Sequence, residues 1–174
     1  MNDDGEQSRD ERFMRLALRL AERALVVGEL PIGAIIVVKD QVIAEAYCSD
    51  KQRGMLAHPE LLSLIAADKR HPPIQQRHIM TLYSNLEPCL MCLGAAMSSC
   101  IGKIVFGAYA PADGAVARLS GMSFGSASYP EYKMPGIVGG ILKDESRSLF
   151  QAFIEKSSDD ALINFARGIV QSDS

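Results

Sequence analysis

The chain has 174 residues, 48% hydrophobic and 22% charged, a size and balance that suit one soluble globular domain with its own core. Its net charge is −3 with acidic segments at both ends, so neither terminus reads as a basic arm for nucleic acid. No apolar run approaches the roughly 20 residues that span a bilayer, and the polar N-terminus lacks a signal-peptide core, so no membrane partner and a cytoplasmic address are expected.

Residues 1–10 are charged and lack apolar periodicity, so disorder is expected there, with 1–12 forming a segment outside the folded domain. A helix is predicted from Phe13, because Phe13, Leu16, Ala17, Leu20, Ala24 and Leu25 recur at three- and four-residue spacing, and Gly28 ends it. PIGAIIVV (31–38) and QVIAEAYC (41–48) flank a Lys39–Asp40 turn and read as a hairpin. Residues 49–56 form a polar loop, 58–69 a second helix, and 71–78 a loop whose two prolines argue against helix. IMTLYS (79–84) reads as a strand, 89–99 as a third helix and 103–107 as another strand. Residues 108–135, rich in Gly, Ser, Ala and Pro, read as a long loop with room for one short helix, and 137–142 as a short strand. Helices are predicted over 144–155 and 159–170. The folded domain is placed at 13–156, with a C-terminal helical extension over 157–174. The alternation of elements implies a mixed sheet with helices on both faces.

Two motifs carry chemistry: His58-Pro59-Glu60, and Pro88-Cys89-Leu90-Met91-Cys92. The four cysteines, at 48, 89, 92 and 100, suit metal ligands or buried thiols better than disulfides in a cytosolic chain of this size. Cysteines three apart on one helical turn point the same way, so Cys89 and Cys92 can reach one ion. His58, from the start of the neighbouring helix, makes a third ligand and leaves one tetrahedral position open, the mark of a catalytic zinc. Glu60 lies two residues from His58, close enough to handle protons without being a ligand. This pairing of motifs is the signature of zinc-dependent base deaminases. A structural zinc module, with Cys48 closing the site as a fourth ligand, is the non-enzymatic alternative.

On these motifs, and on the stretches MRLALRLAERAL, ELPIGAIIV, VIAEAY, AHPE, TLYSNLEPCLMCLGAAMSSCIGKIVFGA and GILKDES, the chain resembles the cytidine-deaminase-like superfamily. Within it the likeness is to bacterial tRNA wobble-adenosine deaminases and related nucleoside and nucleobase deaminases. The resemblance implies a three-layer αβα sandwich around a five-stranded mixed sheet and a homodimer. It implies Zn2+ on His58, Cys89 and Cys92, with Glu60 as the proton shuttle. It also implies a base pocket involving Ile32, Cys48, Ala57 and Leu86.

The sequence departs from the tRNA enzymes at four places, one of them a loop between Cys48 and His58 that looks one residue short. Cys48 stands where they carry an asparagine, and a thiol is a weak donor and acceptor. His-Pro-Glu replaces the usual His-Ala-Glu, and the basic C-terminal helix is replaced by an acidic one. RNA binding rests on cations at phosphates. Lys69, Arg70 and Arg77 read better as a solvated loop than as such contacts. These departures favour a small nucleobase or nucleoside, purine above all, and disfavour tRNA. His71 and His78 read as surface residues, Cys100 as a buried apolar filler, and Asp113-Gly114 as a turn. Glu87 is placed near the metal helix as a partner for backbone. Tyr129 and Tyr132 fall in the loop that covers the pocket in relatives, where they would stack on a base or pack at a dimer contact.

Overall fold

The computed structural model describes residues 3–49, 54–119, 121–124 and 129–172. A five-stranded sheet runs through it in the order β2-β1-β3-β4-β5. The strands are β1 (Gly33–Val38), β2 (Gln41–Tyr47), β3 (Thr81–Leu86), β4 (Lys103–Ala108) and β5 (Gly136–Val138). The predicted hairpin pairs β1 with β2 antiparallel, and β1 is antiparallel to β3 as well. β3 and β4 run parallel, as do β4 and β5, so the sheet is mixed. The six residues of β1 are all buried, which its unbroken apolar run requires of an inner strand covered on both faces.

The strand alternation divides the core. Ala34, Ile36 and Val38 of β1 face one way, with Leu82 and Ile104, toward α2 (Pro59–Asp68) and α4 (Leu90–Ser98). Ile35 and Val37 face the other way, with Tyr83 and Val105, toward Phe13, Met14, Ala17, Leu18 and Leu20 of α1 (Asp3–Val26). A side chain at Gly33 would put its Cβ 2.4 Å from the Ala17 carbonyl oxygen, so glycine there lets α1 lie close to the sheet. At one end of the sheet a third cluster joins Ile32, Cys48, Leu86 and Ala108 to Phe150 and Phe153 of α5 (Lys143–Lys156) and to Ala166 and Ile169 of α6 (Asp160–Gln171). With helices on both faces of the sheet, the chain has the αβα layering expected of it.

Several boundaries differ from expectation. α1 begins at Asp3, ten residues before Phe13, so residues 3–10 are helical rather than disordered. Polar anchors replace the missing apolar stripe: Lys103 Nζ donates to Glu6 Oε1 at 2.7 Å and Asp10 Oδ2 at 2.9 Å. The Tyr83 hydroxyl donates to Asp10 Oδ1, and Arg9 Nε to Asp40 Oδ1, each at 2.7 Å. The loop 71–78 contains the one-turn helix α3 (Ile74–Arg77), entered from Pro73, whose missing N–H costs nothing at a helix start. β3 runs two residues later than predicted, because Leu86 still pairs with Ala108. β5 stops at Val138, before Gly139 and Gly140, the latter at φ 83°. Between 108 and 135 the described residues form turns and no helix. Ala166 and Ile169 of α6 share a core with Ile32 and Leu86. No helix among the described residues is long and apolar enough to cross a membrane.

Candidate metal centre and its cavity

His58 and Cys89 are both helix N-caps, of α2 and α4, in extended backbone conformation. Each therefore stands at the positive end of a helix, where free N–H groups favour an anionic side chain. Pro59 occupies the first turn of α2. α2 and α4 pack together, so the two N-termini converge. Cys92, one turn into α4, is fully buried.

The donor atoms sit at metal-binding separations. Cys89 Sγ lies 3.6 Å and Cys92 Sγ 3.7 Å from His58 Nδ1. Tetrahedral zinc with ordinary Zn–S and Zn–N bonds would hold sulfur and nitrogen about 3.5–3.6 Å apart. The three residues thus fit one zinc ion, and the fit assigns Nδ1 as the ligating nitrogen. Among the described residues this is the metal-competent group of histidine, cysteine and acidic side chains, and Cys48 is not part of it.

The two thiols differ. A hydrogen bond from Cys92 Sγ, aided by His58 and by the Cys92 backbone N–H, pushes Cys89 down to about 4. The bond to Cys89, burial and the facing Glu60 push Cys92 up.

Glu60 is buried, 3% exposed, and burial pushes its carboxyl up from the usual range against the opposing hydrogen bond from Ser84. Ser84 Oγ donates to Glu60 Oε1 at 2.7 Å, and Glu60 Oε2 lies 3.6 Å from Cys92 Sγ. One carboxylate oxygen is thus held by β3 while the other faces the metal group.

His58, Glu60 and Cys89 line a cavity of about 190 Å³. Ile32, Cys48 and Leu86 line it as expected, whereas Ala57 is buried beside His58 and does not. A cavity of about 410 Å³ elsewhere, around Arg23, Tyr47 and Lys69, contains no histidine or cysteine and so offers none of this chemistry.

Five further lining residues were not anticipated: Leu30, Glu87 (in this role), Asp113, Leu162 and Phe165. Glu87 accepts from the Ala110 N–H through Oε2 and the Val116 N–H through Oε1, which latches the following loop against the metal helix. That latch and a bridge between Gly114 and Cys89 place Asp113 at the cavity. Asn85 ties the strand ends together, donating from Nδ2 to the Pro31 carbonyl at 2.9 Å and accepting from the Gly33 N–H at 2.8 Å. Ile32 and Leu86 are thereby brought side by side. α6 lines the cavity through Leu162 and Phe165, and neither Tyr129 nor Tyr132 does. Those two rings stack on each other with centroids 5.9 Å apart, and the Tyr129 hydroxyl meets Cys100 Sγ at 3.8 Å, at the far end of α4. His71 and His78 are exposed.

With the donor triad in place, comparison with known proteins decides the family. Residues 7–108 match the cytidine and deoxycytidylate deaminase zinc-binding region. The chain belongs to this deaminase family. It is 35% identical over 164 residues to a tRNA-specific adenosine deaminase of Haemophilus influenzae, covering 90% of each chain. It is 32% identical over 150 residues to the enzyme of that name from Bacillus subtilis, covering 86% of this chain and 91% of the other. A solved structure from a study of tRNA:A34 deaminases superposes with a TM-score of 0.65 at 32% identity, covering 79% of this chain and 98% of that one. A guanine deaminase from Nitrosomonas europaea shares the fold, with a TM-score of 0.57 at 19% identity over 82% of this chain and 83% of the other. Asp113, Leu162 and Phe165 all lie beyond the region matched to the family.

Proposed function

We propose that this chain is a zinc-dependent hydrolytic deaminase that replaces an exocyclic amino group of a nucleobase with a carbonyl and releases ammonia. The observation that carries this reading is the convergence of three metal-donor atoms with a buried carboxylate beside one cavity. In it, His58, Cys89 and Cys92 would hold the ion. Zinc so held supplies Lewis-acid activation of water, whose pKa it lowers to about 7. Glu60 accepts a proton at Oε2, delivers it to a ring nitrogen of the base, and later protonates the departing amine. Ser84 holds Oε1 throughout, which keeps the working oxygen aimed. A carbon–oxygen bond forms, the carbon–nitrogen bond breaks, and water's protons end on the ring and on ammonia.

The cavity favours a small amino-heterocycle, a free base or nucleoside with purine preferred, lying against Ile32, Cys48 and Leu86. A second reading, wobble-adenosine deamination on tRNA, is favoured by the names of the relatives. The homodimer implied by resemblance belongs to either reading. The test is ammonia release by zinc-loaded protein from bases, nucleosides and an anticodon stem-loop RNA, beside the Glu60→Gln variant. Glu60→Gln should keep its zinc and lose more than the ~10²–10⁴-fold typical of one acid–base group, because one residue serves several transfers. Near-normal turnover in that variant would remove Glu60 from the mechanism.

A further inference from the structure

Helix α6 presents one apolar stripe, Leu162, Phe165, Ala166 and Ile169, at three- and four-residue spacing. Its inner half, Ala166 and Ile169, is buried with Phe150 and Phe153 of α5. Its outer half, Leu162 and Phe165, packs against the same cluster and lines the cavity. The helix start is fixed, since Asp159 Oδ1 accepts from the N–H groups of Ala161 at 3.0 Å and Leu162 at 3.1 Å. We propose that Leu162 and Phe165 set the substrate limit of this enzyme, admitting a bare heterocyclic base and excluding one that carries ribose. The proposal rests on the deaminase reading above.

Three observations carry it. The cavity is about 190 Å³, below the ~300–1,000 Å³ of ordinary ligand pockets. Its lining is apolar at Leu162, Phe165, Ile32 and Leu86 and acidic at Glu60, Glu87 and Asp113. A flat base suits such a slot, but sugar hydroxyls placed against Leu162 and Phe165 would lose water and gain no hydrogen bond from either. α6 lies outside residues 7–108, so this selectivity belongs to the chain and not to the family's shared motif.

The test compares adenine with adenosine, guanine with guanosine and cytosine with cytidine. Ammonia release gives kcat/KM, and calorimetric titration of the Glu60→Gln protein gives affinity without turnover. The unmodified chain should prefer the base of the reactive pair at least tenfold. Phe165→Ala and Leu162→Ala should cut that preference tenfold or more, within the range expected when a hydrophobic pocket is resized. Leu162→Trp should fill the space and weaken base binding while zinc content stays whole. If Phe165→Ala loses zinc, Phe165→Leu takes its place, keeping an apolar side chain and losing the ring. A preference for the nucleoside or for the stem-loop RNA overturns this limit, as does an unchanged ratio in variants that retain zinc. Absence of ammonia from every compound and from the RNA is a different failure, and it removes the deaminase reading itself.

Discussion

Cys89 and Cys92 stand three residues apart in unlike surroundings. Cys89 caps α4 and is half-exposed, with helix N–H groups and His58 favouring its thiolate, whereas Cys92 is sealed in beside Glu60. The bond to Cys89, burial and the facing Glu60 make the inner thiol the poorer anion, and a bound cation would favour both thiolates. Cys48 differs from both: it is 2% exposed, lies on the cavity wall and stands outside the donor group. His58→Ala, Cys89→Ala and Cys92→Ala should therefore each lose zinc, whereas Cys48→Ala should keep about one ion per chain and change base preference instead. Cys48→Asn should tighten purine binding, a good hydrogen bond contributing ~0.5–1.5 kcal/mol. Elemental analysis and titration with bases check both. Loss of zinc in Cys48→Ala would bring back the closed, non-catalytic site.

Among the elements, α1 shows how polar contacts extend a helix beyond its apolar stripe. The hydrogen bond from Lys103 and its charge hold Glu6 below the usual carboxylate range, and the hydrogen bond from Arg9 does the same for Asp40. A lowered folded pKa means that the stabilisation is complete above the unfolded carboxylate value of about 4 and is lost as pH falls through the folded values. Amide exchange in residues 6–12 should therefore be slowed at pH 7 and freed at pH 3, while β1 stays protected, and 1 M salt should loosen the same turns because the pairs are exposed. Equal protection at pH 7 and pH 3 would mean that packing, and not charge, holds these turns. The early start of α1 was illegible in the sequence because its anchors, Asp40, Tyr83 and Lys103, lie 31 to 97 residues away. The metal group was legible because each half is a local pattern: two cysteines on one turn, and a histidine two residues from a glutamate. The inner strands were legible for the same reason, through their apolar runs. The part of α6 in the cavity was not, because Leu162 and Phe165 look like the buried face of any amphipathic helix, and only the docking of α6 on α5 turns that face toward the cavity. Asn85 and Glu87 were hidden likewise, since their work is to satisfy backbone groups of distant segments.

For the molecule as a whole, the open question between a small substrate and tRNA is one of charge as well as shape. The chain carries 18 basic and 21 acidic residues, and the helix at the cavity starts at Asp159 and Asp160. Arg77, a candidate for phosphate contact, is committed to Asp68 at 2.6 Å. RNA recognition needs cations left over for phosphates, each of which adds to the salt dependence of binding, with a slope of about −0.7 per contact on a single strand. The relatives' names point toward RNA, whereas the acidic start of the helix at the cavity is unfavourable for a phosphate backbone. An anticodon stem-loop should therefore bind the zinc-loaded chain weakly at 0.15 M salt, with a dissociation constant above about 10 μM, in the range of non-specific nucleic-acid contact. Fluorescence anisotropy at several salt concentrations measures both affinity and slope. If Leu162 and Phe165 are the obstacle, Phe165→Ala should leave the slope as it is, because it adds no cation, even where it opens the cavity. Submicromolar binding with a steep slope would show that Lys69, Arg70 and their neighbours do reach phosphates, and the wobble-adenosine reading would then displace the small-base one.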